Sequence, residues 1–530
     1  MNAIDGNVWP LTGAQLGIWY AQKFNSNSPA FNIGLTIDIK GPINVEILKY
    51  ALKVVVEECD TLHLRFVETE DGPRQFKDKN PKTDPVLIDL SGETDPRSSA
   101  GAWIADDREK IIPIVGGLLC RFVLFKLSEE NYWWYQRFHH IQVDRYGFNL
   151  ISTRVSEIYN ALVDSKKLDN HCFEPVEAAI HRDAVYHSSG GYLRDKSFWK
   201  RYIRSNSCAV NIAQKEAPAS ATTIRHVFYI DRKIVGRLAD FGASIEVSIS
   251  RIFLALTLVY LHKVSGANDI TIGLPTSGRD KDNRHAAIIV ANAIPLSLEV
   301  TGDLTLKQVG ELIRFELKKV LPHCRYDLAN ILRDSNKLNS NVFHTIVNIQ
   351  PFDDEFIFAN TVTNTSNTSL RLISNLSIAI HTGNKRTGLE IEFDANPALY
   401  NAEDLVYHQQ CLTRLIESFA LDPTRRIGDI GLLSDRERHQ ILEEWNATAQ
   451  ALPEGMTLPG LFEAQVARTP EAVALVFEDQ ALTCGELDAR ANRLAHHLIA
   501  RGVGPESIVA VALPRSLELV VGLLGILKAG

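Results

Sequence analysis

Twice along this chain, short apolar runs with the period of a strand are interleaved with longer apolar runs of helical period. That repeated alternation restricts the fold more than any other feature. Over roughly the first 175 residues, FNIGLTIDI, CRFVLFKL and NYWWYQRF read as strands, and NVEILKYALKVVVEEC and NLISTRVSEIYNALV as helices. From Phe198 to Leu433 the alternation returns in HVFYID, SISRIFLALTLVYLHKV, DITIGLP, TLKQVGELIRFELKKV, FHTIVNIQ and GLEIEFD. Two α/β lobes of comparable length follow, with a functional site expected between them. At 530 residues the chain exceeds one ordinary domain, and a prior of roughly 150 residues per domain predicts three or four compact units.

Near Leu433 the texture changes. A charged helix, SDRERHQILEEWNATA, leads to the polar linker Leu452-Pro453-Glu454-Gly455. The most apolar stretch, Ile508 to Leu527, approaches membrane-spanning length, but Pro514, Arg515 and Glu518 interrupt it. It reads as a buried strand (SIVAVAL) followed by a helix, so no membrane association is expected.

The densest chemistry lies at His139, His140 and Asp144. The run Phe138-His139-His140-Ile141-Gln142-Val143-Asp144-Arg145-Tyr146-Gly147 follows the aromatic strand Asn131 to Phe138 and precedes an amphipathic helix from Asn149. A strand-to-helix junction can hold a side chain at a cavity wall. Spacing alone leaves two readings open, a reactive imidazole or a turn locked by hydrogen bonds and a salt bridge.

Composition excludes several classes. With 45% hydrophobic and 23% charged residues the chain is a globular protein with a sizeable core. A net charge of -8, with no Lys/Arg block interleaved with aromatics, argues against a nucleic-acid partner. The seven cysteines (Cys59, Cys120, Cys172, Cys208, Cys324, Cys411 and Cys484) are odd in number, scattered and without a CxxC pair, so neither a disulfide framework nor a metal site is expected. Met1 to Leu11 lacks a basic-then-apolar leader, which predicts a cytoplasmic protein. Asn364, Asn367 and Asn375 fall in N-x-S sequons and are expected in loops, unmodified.

The histidine run resembles the HHxxxDG signature of condensation domains of nonribosomal peptide synthetases. Five further segments resemble motifs of the same family in the same order: Leu11 to Trp19, Asp60 to Phe66, Ile272 to Arg279 with Ala291 to Leu296, His323 to Asp334, and Val342 to Gln350. The resemblance implies two chloramphenicol-acetyltransferase-like lobes in a V-shaped pseudo-dimer, residues 1–175 and 176–435. After a linker at 436–457, residues 458–530 resemble the start of an adenylation domain, a truncated α/β fragment with no glycine-rich phosphate loop and no adenylating activity expected.

The implied reaction is amide formation, an N-acyltransferase step in which the α-amine of a carrier-bound aminoacyl thioester attacks a donor thioester. No bound cofactor is implied; the phosphopantetheine arm of a carrier protein and acyl-CoA enter as substrates. His140 is the candidate proton acceptor, its ordinary pKa of about 6.5 leaving it mostly neutral near pH 7. His139 is expected to support the loop, since neighbouring side chains in extended backbone point oppositely. Asp144 is implied to pair with Arg279, and Asn292 to line the tunnel or to satisfy local backbone. Arg145 departs from the family's glycine. It points either outward into a surface salt bridge or into the donor channel, favouring a small acyl group or one with a polar or anionic feature. Tyr146 and Gly147 are candidates beside it for the oxyanion or the donor channel.

The chain opens at a natural-looking Met1 with no carrier domain before it. A monomeric starter condensation domain is therefore expected, its donor arriving in trans as acyl-CoA or on an acyl carrier protein, its acceptor on a downstream peptidyl carrier protein. An aryl or peptidyl donor from a separate carrier, as in siderophore synthetases, is the alternative, and a non-catalytic docking module is the alternative from another class. Paired histidines argue against a cyclisation domain, and the lack of a preceding carrier against an epimerisation domain.

Overall fold

The structure is a computed structural model and describes residues 7–79, 81, 83–168, 173–205, 209–335, 342–350, 356–382, 388–451 and 455–530. Cys172, Cys208 and the linker residues Leu452, Pro453 and Glu454 lie outside the described residues. The chain divides into two compact units, residues 1–433 and 434–530, rather than three or four.

In the first half of the larger unit the elements are β1 (Asn32–Lys40), α1 (Val45–Glu58), β2 (Val86–Asp89), β3 (Cys120–Ser128), β4 (Asn131–His139) and α2 (Arg145–Val163). The second half contributes β5 (Ile224–Ile230), α3 (Ile249–Ser265), β6 (Asp269–Thr276), β7 (Asn292–Glu299), α4 (Leu306–Val320), β8 (Thr345–Gln350), β9 (Val362–Asn367), β10 (Leu376–His381), β11 (Leu389–Ala395) and α5 (Ala402–Leu421). They form two sheets, one of order β9-β1-β4-β3-β2 and one of order β7-β6-β8-β10-β11-β5.

Each sheet is covered by helices because its alternation leaves an apolar face to bury. In the first, Leu35, Ile37, Trp134 and Phe138 pack with Leu52 and Val55 of α1 and Ile151 and Val155 of α2. The other face of β4 is aromatic too, with Trp103 edge-on to Tyr135 at 6.1 Å. In the second, Ile378, Ile380, Ile391 and Phe393 meet α3, which is buried from Ile252 to Leu261. A helix apolar on all sides at this depth is a core helix. Among the described residues no single helix is long and apolar enough to cross a membrane.

One strand breaks the two-lobe division expected from sequence. β9 comes from the second half of the chain yet pairs antiparallel with β1, Val362 opposite Lys40 through Asn367 opposite Leu35. The loop that leads to it is anchored in the first core by Phe356 and Phe358, and Asn160 of α2 bonds the backbone of Ile357 and Ala359. Asn364 and Asn367 are thus strand residues, not loop residues. Asn375 is buried, donating to Asn211 and accepting from Tyr400.

In the smaller unit, α6 (Leu458–Arg468), the hairpin β12 (Val473–Phe477) and β13 (Gln480–Thr483), α7 (Cys484–Ala500) and α8 (Leu517–Lys528) enclose Leu482, Leu487 and Leu517. Lys528 donates to Asp488 at 2.8 Å. The expected strand at Ser507 to Leu513 is absent: the segment has no strand pairing, and Ile508 is fully exposed. An apolar run becomes a strand only beside a partner edge, and none flanks it among the described residues. The helix expected across residues 434–449 is short, Asp435–His439, passing into a π-helical turn at Gln440–Glu444.

Candidate active site

Strand β4 ends at His139, and the chain turns through residues 140–144 into α2. This turn is fixed on three sides. Gln142 Nε2 donates to the carbonyls of Thr61 and Leu64 at 3.3 and 3.2 Å, the Ile289 N–H donates to the Gln142 carbonyl, and the His140 N–H donates to the Phe31 carbonyl at 2.8 Å.

The two imidazoles are held in different states. His140 Nδ1 lies 3.0 Å from the Val143 carbonyl oxygen, an acceptor only, so Nδ1 carries the proton and Nε2 is the basic nitrogen. His140 lines a cavity of about 410 Å³. His139 is buried with its Nδ1 accepting from the Ile141 N–H, and its Nε2 faces Gln22 Oε1 at 3.4 Å. Burial first, then the neighbouring His140 and Arg137, pushes its pKa down to about 3. His139 is therefore a neutral support near pH 7.

Asp144 caps α2 and ties it to the second half of the unit. Its Oδ1 accepts from the Gly147 N–H at 2.9 Å, and its Oδ2 accepts from Arg279 Nη1 at 2.7 Å, the Val290 N–H at 2.9 Å and the Ala291 N–H at 3.0 Å. Burial raises the carboxyl pKa, but the Arg279 guanidinium and these donors outweigh it and hold it below the ordinary value. Arg279 also donates to the Ala286 and Ile288 carbonyls, and its guanidinium lies over the Tyr146 ring at 4.4 Å.

Three candidates for the oxyanion or donor channel lie outside the lining of this cavity, and Asn292 satisfies backbone groups instead. Gly147 spends its N–H on the Asp144 cap, and a Cβ there would sit 2.0 Å from the Ala287 carbonyl oxygen, so its role is close backbone approach. Tyr146 is engaged beneath Arg279. Asn292 lines a different, smaller cavity, its amide donating to the Cys324 and Tyr326 carbonyls and accepting from the Ala293 and Leu328 N–H groups. Arg145, by contrast, lines the cavity with His140, its guanidinium 5.9 Å from the Phe148 ring centroid.

The cavity lies between the two halves. Phe31, Ile33 and Leu35 wall one side, β9 contributes Thr363 and Thr365, and the second sheet supplies the floor. Alternation along β11 places Glu390, Glu392 and Asp394 on the face opposite Leu389, Ile391 and Phe393. On this face, Arg225 and the cavity-lining Arg371 pair with Asp394 at 2.7 and 3.0 Å and approach Glu392 to 3.5 Å each. Burial raises the Glu392 pKa to about 7 despite Arg371. His381, Glu390 and Glu392 come within 4.8 Å of one another. Arg225 and Arg371 already balance this cluster, and Arg145 adds positive charge at His381, a field that opposes a cation. The floor went unnoticed in sequence, although three acids alternating with apolar residues in LEIEFDA signal a buried polar face.

Two helix-covered sheets with His140 at the wall of the cavity between them define the class: an acyltransferase of chloramphenicol-acetyltransferase-like build. The condensation-domain family matches residues 6–442, and the chain belongs to that family, within nonribosomal peptide synthetases; the AMP-binding enzyme family matches residues 462–530. The chain is 33% identical to the dimodular nonribosomal peptide synthase of Bacillus subtilis (strain 168), over 98% of this chain and 22% of the relative. It is 28% identical to enterobactin synthase component F of Escherichia coli (strain K12), over 98% of this chain and 40% of the relative. The chain thus spans about a fifth to two fifths of these relatives' lengths. Among solved structures, a variant of the starter condensation domain of rhizomide synthetase in complex with C8-CoA matches with a TM-score of 0.76 at 29% identity, over 81% of this chain and 98% of that one. The first condensation domain of the calcium-dependent antibiotic synthetase, in complex with a substrate analogue, matches with a TM-score of 0.73 at 25% identity, over 81% and 99%.

Proposed function

We propose that this chain is a starter condensation domain that N-acylates a carrier-bound aminoacyl thioester, with His140 as the proton acceptor. The observation that carries the reading is the His140 ring at the cavity wall, its Nδ1 fixed on Val143 so that Nε2 is the basic nitrogen. The acceptor amine attacks the donor thioester carbonyl, a C–N bond forms, and the C–S bond breaks as the tetrahedral intermediate collapses. Nε2 takes the amine proton, and the departing sulfur is protonated to a thiol. A thioester is already activated, so much of the acceleration comes from holding amine and carbonyl in contact within the cavity, the imidazole adding general-base help.

The donor is acyl-CoA or an acyl group on a carrier protein, and the acceptor sits on a downstream peptidyl carrier protein. A rhizomide synthetase starter domain that binds C8-CoA supports the acyl-CoA route. A second reading is an aryl or peptidyl donor delivered on a separate carrier; Arg145 at the cavity wall favours a small donor such as an aryl group. In either reading the lobes are residues 1–175 and 176–435, laced together by β9, with Asp144 and Arg279 as the structural pair. A reducing cytoplasm suits the chain, since Cys59, Cys120, Cys324, Cys411 and Cys484 are all free thiols.

The test is incubation with a panel of acyl-CoA and carrier-bound acyl and aryl donors plus an aminoacyl carrier protein, read by mass spectrometry. Wild type forms an N-acyl aminoacyl product, and His140→Ala loses at least about a hundredfold in rate with unchanged melting. No product from any donor, or undiminished turnover by His140→Ala, sinks the reading.

A further inference from the structure

The turn that presents His140 is tied to a residue far outside the histidine run. A helix spanning Gly13–Phe24 precedes β1, started by a capping box in which the Thr12 hydroxyl accepts from the Gln15 N–H and the Gln15 side chain accepts from the Thr12 N–H. In its last turn Gln22 is buried, while Lys23 and Phe24 beside it are exposed.

The Gln22 amide has three partners. Its Nε2 donates to the Asn25 carbonyl at 2.9 Å and to the Ser28 carbonyl at 3.1 Å. Both carbonyls only accept, so they fix which end of the amide is oxygen and aim Oε1 at His139 Nε2, 3.4 Å away. Because His139 Nδ1 accepts from the Ile141 N–H, the proton of the neutral ring is on Nε2 and is directed at Gln22. Burial, which lowers the His139 pKa to about 3, keeps the ring in the neutral form that offers one accepting and one donating nitrogen. The loop that Gln22 holds leads to Phe31, whose carbonyl accepts the His140 N–H at 2.8 Å and whose ring stacks on His139 with centroids 6.3 Å apart. The residues on either side of His140 are therefore tied to Gln22 through one imidazole, and the His140 N–H through the loop.

We infer that Gln22 is a positioning residue for the condensation reaction, acting through His139 to set the turn from which His140 meets the amine. This rests on the reading of His140 as proton acceptor and extends that machinery to the first helix. Gln22 is not among the residues lining the His140 cavity, so it acts on the reaction through His139 and not on substrate.

The test uses the full chain with an aminoacyl carrier protein and the best donor of the panel above, with rates taken per folded protein. Gln22→Met keeps the length of the side chain and loses every hydrogen bond; Gln22→Glu keeps an acceptor for His139 Nε2 but cannot donate to the loop. Gln22→Met should lower kcat by about tenfold or more, since a small misplacement of a catalytic group is costly in rate. KM for the aminoacyl carrier protein should stay within about twofold. Gln22→Glu should retain more of kcat than Gln22→Met. A role confined to bracing the loop predicts the reverse order, because neither side chain donates and the carboxylate would face two carbonyl oxygens. Wild-type kcat in Gln22→Met, a loss carried in KM, or Gln22→Glu falling below Gln22→Met overturns the inference. If no donor yields amide, the reading of His140 fails by itself, and proton–nitrogen NMR of the histidine rings then decides the contact; the same spectra decide it if Gln22→Glu does not fold. The His139 Nε2 proton, assigned by its loss in His139→Asn, should move upfield in Gln22→Met, and the His140 ring signals should move with it. A wild-type His139 protonated on Nδ1, or His140 signals that stay in place, overturns the inference.

Discussion

Replacing Arg279 with leucine should cost stability well before it touches chemistry. The Arg279 and Asp144 side chains are 4% and 2% exposed, so the substitution leaves a carboxylate in the interior with three backbone N–H donors and no counter-charge. It also strips a donor from the Ala286 and Ile288 carbonyls. Breaking one side of a buried pair costs about 3–5 kcal/mol. Urea denaturation followed by tryptophan fluorescence reads the larger unit, where Trp19, Trp134 and Trp199 are fully buried. The pH dependence has a definite sign. Because the folded Asp144 pKa lies below its ordinary value, its contribution is complete above about pH 4 and is lost as pH falls through the depressed folded pKa. In Arg279→Leu, burial acts on the carboxyl without the guanidinium to offset it, so the acid limb of the stability curve moves to higher pH. The double variant Asp144→Asn/Arg279→Leu should be more stable than the sum of the singles by about 1–3 kcal/mol. A single variant within about 1 kcal/mol of wild type, or strict additivity, would refute the view that this pair fixes the histidine turn.

Three further outcomes are expected. Arg145→Ala should shift donor preference towards longer acyl chains, each additional buried methylene contributing about 0.8 kcal/mol, or roughly fourfold in kcat/KM; an unchanged chain-length profile refutes it. Gly147→Ala should lower the melting temperature and cost about 1–3 kcal/mol, because the new methyl meets the Ala287 carbonyl oxygen; a wild-type melting curve contradicts that. Glu392 has a folded pKa raised to about 7, so its contribution is complete below the ordinary glutamate range and declines as pH rises to about 7. Glu392→Gln should flatten that decline in a stability-versus-pH series, and an unaltered slope counts against it.

What could be read from sequence was local. The His139–Asp144 run and its neighbours announced a strand-to-helix junction, because a strand of rings followed by an amphipathic helix leaves few alternatives. The partnership of Asp144 with Arg279, 135 positions apart, came from motif resemblance, since pattern alone does not report which distant residues meet. β9 escaped notice because VTNTSN has no apolar alternation: one of its edges hydrogen-bonds β1 and its side chains face the cavity or solvent, so it buries no hydrophobic stripe. SIAIH, which carries His381, was passed over although it alternates, and with it the polar floor. Ser507 to Leu513 erred the other way, its β-branched composition promising a strand that needs a neighbouring edge to form.

The passage of β9 into the first sheet bears on engineering. A chimera that exchanges halves between synthetases at a junction near residue 175 would pair β1 with a foreign sequence or leave its edge bare, inviting aggregation. Recombination should instead carry residues 356–370 along with the amino-terminal half, so that the lace travels with the sheet it fastens.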